Sequence, residues 1–104
     1  AGAEIDCVNL FNKTPLLIAA ENGFVDILKL LIEKGANINA KDNNENNALI
    51  LAAEKGYYDI IQELLNNGIY INIKNKQGES ALMIAEKNNH KKICEVLLKA
   101  GAAE

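Results

Sequence analysis

The chain contains no tryptophan, no arginine, a single proline and a single histidine. All eleven basic residues are lysine, set against fourteen acidic ones, for a net charge of −3. A nucleic-acid partner asks for a basic stripe, usually with arginine, and the adjacent Lys91-Lys92 is only one solvated helix start. No apolar run approaches the ~18 residues of a membrane span, so membrane insertion is not expected. The start of the chain lacks the basic-then-apolar pattern of a secretory leader. Two cysteines, Cys7 and Cys94, lie too far apart in the repeat pattern described below for a bridge, which tolerates Cα separations up to ~7 Å. Reduced thiols fit a cytoplasmic location.

What the chain has instead is a stride. Gly2, Gly35, Gly68 and Gly101 are each separated by 33 residues. Leu16, Leu49 and Leu82 keep the same register, as do Ala19, Ala52 and Ala85, then Ile27, Ile60 and Ile93, then Leu31, Leu64 and Leu97. Ile5, Ile38 and Ile71 align just after the glycines. A period in this range indicates stacked repeats, in which each unit buries the same shape against its neighbours. At 104 residues the chain is one domain, with three helix pairs as about the minimum for a stable array.

Each unit carries its own punctuation. Thr14, Asn47 and Ser80 can accept from an orphan amide and cap a first helix, and Pro15 suits the first helical position. Short apolar helices follow over 16–20, 49–53 and 82–85. Gly23 and Gly56 stop them in a left-handed turn, a conformation that Asn89 can also adopt. Second helices are expected over about 25–34, 58–67 and 91–100, with polar, Asn-rich connections after each stop.

The run Thr14-Pro15-Leu16-Leu17-Ile18-Ala19-Ala20, then Gly23, then Asp26 to Ile32, then Gly35-Ala36-Asn37-Ile38-Asn39 resembles an ankyrin repeat. The segment from Leu49 to Asn72 resembles it closely, and Gly78 to Gly101 with more departures. The resemblance covers nearly the whole chain. It implies an all-α solenoid of stacked antiparallel helix pairs joined by β-hairpin-like loops, the fingers. The expected division is the end of a partial repeat over 1–8 and repeats over 9–41, 42–74 and 75–104. Departures are Leu17, Ile50 and Met83 at the usual histidine, Asn12 and Glu45 where the finger glycine is kept only at Gly78, Glu86 for Ala20 and Ala53, and Glu63 for Leu30 and Val96. Glu86 reads as the solvent-facing edge of the third repeat, and Glu63 as a snorkelling side chain.

Gly2 to Asp6 matches the exit turn of a helix pair not present. The first pair is therefore expected to expose an apolar flank, as in a segment of a longer array or one that associates through that end. The frequent, irregular Asn residues fit a natural gene rather than a consensus design.

No pattern suggests an enzyme. His90 and Cys94 stand one helical turn apart, but two ligands are too few for structural zinc. Cys94 aligns with Leu28 and Ile61 and reads as a small core residue. His90 aligns with Phe24 and Tyr57 in a packing slot. The sequon Asn12-Lys13-Thr14 is better explained by Thr14 as a cap. No cofactor is expected. Leu17, Ile50 and Met83 form either a greasy groove strip or ordinary packing between repeats, with packing favoured. Leu10 and Phe11 mark either a fingertip contact or a surface under a missing unit.

By the resemblance, partner-contacting residues fall at the fingers and the ends of the first helices, where side chains do not hold the stack together. The finger candidates are Leu10, Phe11 and Lys13, then Asn43, Asn44 and Asn46, then Lys76, Gln77 and Glu79. The helix-end candidates are Glu21, Asn22, Glu54, Lys55, Lys87 and Asn88. The expected function is a non-enzymatic module presenting this concave surface to a protein partner. The alternative is an architectural spacer with no partner of its own. Self-association through uncapped ends is a further expectation.

Overall fold

The computed structural model describes residues 7–102. The exit turn read at Gly2 to Asp6, and Ala103, lie outside them. Helices α1 (Pro15–Asn22), α2 (Val25–Glu33), α3 (Ala48–Lys55), α4 (Tyr58–Asn66), α5 (Ala81–Lys87) and α6 (Lys91–Lys99) follow in order. They form three antiparallel pairs in an elongated body of 39 × 25 × 20 Å. The first helices stack as α1–α3–α5 and the second as α2–α4–α6. The first row meets more extensively, because buried Ala19, Ala20, Ala52, Ala53, Ala81 and Ala85 let these backbones approach.

Local chemistry sets the helix ends. Thr14 Oγ1 accepts from the Leu17 amide at 3.3 Å, Asn47 Oδ1 from Ile50 at 2.9 Å and Ser80 Oγ from Met83 at 3.3 Å. Each satisfies an amide that the first turn leaves without a partner. Gly23 and Gly56 end α1 and α3 at φ +75° and +79°, and Asn89 follows α5 at φ +60°. The first helices run a residue or two beyond the apolar stretch, since polar Asn22, Lys55 and Lys87 still complete the last turn.

The core is a layered row. Leu16, Leu49 and Leu82 are fully buried in successive first helices, and Leu28, Ile61, Leu64 and Leu97 line the second. Leu17 and Ile50 are buried too, so that line is packing between repeats, whereas Met83 is 39% exposed with no described helix pair beyond it. For the same reason Cys94 is only half-buried, whereas Leu28 and Ile61, at the same register in repeats that have a following helix pair, are fully buried. Burial still pushes its thiol pKa up, with Glu86 and Glu95 adding to the effect. Glu86 is exposed, as expected. Glu63 is half-buried, as is Val96 at the same register, which packs against the core. Leu30, the counterpart in the first repeat, is 53% exposed, and the Glu63 carboxylate accepts from Asn67 Nδ2 at 3.2 Å, one turn on.

Candidate functional site

The three fingers are one turn built from the same side-chain device. Asn9 Oδ1 accepts from the amides of Phe11 and Lys13 at 2.9 and 3.0 Å. Asp42 Oδ1 does so for Asn44 and Asn46 at 2.9 and 3.0 Å. Asn75 Oδ1 does so for Gln77 and Glu79, both at 3.0 Å. Such Asx turns replace backbone partners that a tight loop cannot supply. A backbone bond closes each finger, from Asn9 to Lys13, Asp42 to Asn46 and Asn75 to Glu79. The loops are thus hairpin-like in closure, although no strand occurs among the described residues.

Asn9, Asp42 and Asn75 were not among the residues singled out from sequence. The signal was present, since all three keep the 33-residue stride with an Asx side chain. Asp42 and Asn75 are buried together with the caps Thr14, Asn47 and Ser80. Among the described residues, no buried side-chain nitrogen or oxygen lacks a partner, so the buried polar groups are the joints of the array.

Neighbouring fingers are tied to one another. The Asn43 amide donates to the Phe11 carbonyl at 3.1 Å, and the Lys76 amide to the Asn44 carbonyl at 3.0 Å. Asn75 Nδ2 donates to Asn46 Oδ1 at 3.0 Å. The finger backbones are therefore held in one row beside α1, α3 and α5.

Between the second and third fingers this row encloses an open cavity of about 490 Å³. Of the candidates, Asn46, Glu54, Lys55, Gln77, Glu79, Lys87 and Asn88 line it together, over a floor that includes Ile50 and Ile84. The remaining candidates lie elsewhere. Asn43, Asn44 and Lys76 are exposed along the fingertips. Leu10 is 95% exposed and Phe11 66%, at the tip of the first finger. Asn22 turns back to the Ile18 carbonyl at 2.9 Å. Lys13 and Glu21 are half-buried in an ion pair at 2.7 Å.

A second pair, Lys87 with Glu79 at 2.8 Å, joins finger to helix in the third repeat with the charges reversed. The hydrogen bonds from Lys87 and then Asn75 hold the Glu79 carboxyl below its usual range. The bond to Glu79 raises the Lys87 ammonium in turn.

His90 belongs to the packing between repeats. Its ring lies over Gly56, and Nε2 is 3.4 Å from the Glu54 carbonyl. Among the described residues no three His, Cys, Asp or Glu side chains gather as metal ligands would. No described helix is long and apolar enough to cross a membrane.

Comparison with known families now decides the fold. Residues 1–75 match the model for ankyrin repeats in three copies, and residues 77–104 match the model for a single ankyrin repeat. The chain belongs to the ankyrin repeat family. Ankyrin repeats are generally protein–protein interaction modules and typically non-enzymatic. A search of curated proteins finds no match. In ankyrin terms, the row of Asx turns is the finger row, and the 490 Å³ cavity sits where fingers meet first helices.

Proposed function

We propose that this ankyrin array is a non-enzymatic module that holds a protein partner along its fingers and first helices, acting as one domain. One observation carries the reading. Seven candidate residues from two fingers and two helices converge on a single polar cavity with an apolar floor. The tied fingers preform that surface, so a partner that docks there spends little ordering entropy. The lining offers amide, carboxylate and ammonium groups rather than one large apolar anchor, which suits recognition by hydrogen bonds and charge. The free thiols of Cys7 and Cys94 support a reducing compartment.

The test is charge reversal at Lys55 and Lys76, both exposed. Partner affinity should fall while the melting temperature stays put. Unchanged affinity in the double variant would turn attention to the outer helices or an end.

A second reading rests on the outer face of the first repeat. Ile27 is 51% exposed, whereas Ile60 and Ile93 at the same register are 1% and 2% exposed. Phe24 and Ile18 are exposed beside it. This face has the shape that another helix pair covers within the array, and it supports association through that end. Ile27→Glu should abolish any concentration-dependent sedimentation. Sedimentation as a monomer in both forms would end this second reading.

A further inference from the structure

In the first and third repeats an ion pair joins finger and first helix between positions eight residues apart. In the first repeat these are Lys13 and Glu21, paired at 2.7 Å. In the third they are Glu79 and Lys87, paired at 2.8 Å. In the second, the same register holds Asn46 and Glu54. Asn46 carries no charge, and its Oδ1 is turned to Asn75. Glu54 is exposed in the wall of the cavity and forms no ion pair among the described residues. Lys55 is adjacent in sequence, but neighbouring residues on a helix diverge and do not pair. Lys87, across the cavity, is bonded to Glu79 at 2.8 Å, and the Glu54 charge acts on it without forming an ion pair. The second repeat thus has a carboxylate at this register in no direct ion pair, where the other two repeats build one in. Below it, Ile50 and Ile84 close the base of the cavity, both almost fully buried.

We propose that the cavity around Glu54 receives a lysine or arginine side chain of the bound protein segment, an inference that rests on the finger and first-helix reading above. The incoming cation takes the place that Lys13 fills in the first repeat, with its charged head at the Glu54 carboxylate.

A displayed library of random peptides, selected on the full chain, supplies the probe. A selected peptide is then measured by calorimetry against the wild type, Glu54→Gln and Asn46→Lys, with amide NMR shifts to map its footprint. Selected peptides should carry lysine or arginine at one fixed position. Affinity should fall about tenfold on Glu54→Gln, as for loss of a charge-assisted bond. It should fall comparably on Asn46→Lys, which closes the latch from within. Replacing the peptide's basic residue by norleucine should cost about tenfold on the wild type and little on Glu54→Gln. Glu54→Gln should keep the wild-type melting temperature, and Asn46→Lys, which loses the tie to Asn75, should still unfold in one cooperative transition at a lower one. Peptides that shift the finger amides, have no basic position and bind Glu54→Gln as well as the wild type would overturn this inference and leave the proposed surface standing. Peptides that shift only α4 and α6 would overturn both.

Discussion

Asn75 on the third finger donates its Nδ2 to Asn46 Oδ1 on the second at 3.0 Å, while its own Oδ1 accepts two amides of its turn. One buried side chain thus shapes a finger and fastens it to its neighbour. The surface proposed for partner binding depends on that double use.

Asn75→Ala leaves the amides of Gln77 and Glu79 without acceptors and removes the tie. A buried group left unpaired costs about 1–3 kcal/mol, so the expected loss is about 2 kcal/mol in a urea titration. Asn75→Asp keeps the acceptor that Asp42 supplies in the second repeat, and should lose less. Equal losses would mean that the turn bonds contribute little.

Gly56 and Gly68 both sit at φ near +80° but differ in what lies above them. A Cβ on Gly68 meets nothing within 4 Å, whereas one on Gly56 would stand 2.8 Å from His90 Cε1. Gly68→Ala should cost about 1 kcal/mol, the left-handed penalty alone. Gly56→Ala should cost more, because the His90 ring must leave its seat. The excess should vanish when both changes are compared in a His90→Ala background. An excess that persists there would assign it to backbone strain instead.

Glu45 holds φ +62° in the second finger, where Gly78 stands in the third at +77°. Glu45→Gly relieves a left-handed penalty of ~1–2 kcal/mol but adds freedom to the unfolded chain. A net stabilisation of about 0.5 kcal/mol is expected by thermal denaturation. A destabilised variant would show that the Glu45 side chain contributes a contact.

The Glu79–Lys87 pair has a definite pH signature. The folded pKa of Glu79 is lowered. Its contribution is therefore complete above the ordinary glutamate range and is lost as pH falls through the lowered value. The folded pKa of Lys87 is raised, so its contribution is complete below the ordinary lysine value and is lost as pH rises through the raised one. NMR titration should find the Glu79 carboxyl midpoint below the ordinary value, and Lys87→Met should move it upward. An unmoved midpoint would leave Asn75, the second cause, as the main one.

Much of the fold was legible because it rests on local chemistry repeated at a fixed interval. Thr14, Asn47 and Ser80 announce helix starts by their side-chain oxygens, and Asn89 stands in for glycine through its tolerance of positive φ. Burial at the two faces of the array was harder to read. Ile27 and Ile60 are the same residue at the same register, and only the presence of a described neighbour on one side buries Ile60. The Asx turns escaped notice because a polar residue in an Asn-rich loop reads as solvated, although Asp42 and Asn75 are buried. The candidate surface was legible as a set of positions. Its internal pairing was not, since Lys13 meets Glu21 only after the finger folds back over α1.

The most direct test of partner binding along fingers and first helices is site-specific photocrosslinking in cells. A photoreactive residue at position 77, in the cavity wall, is compared with one at position 62 on the outer helix α4. The account predicts a discrete protein adduct from 77 and none from 62. An adduct from 62 with none from 77 would contradict it.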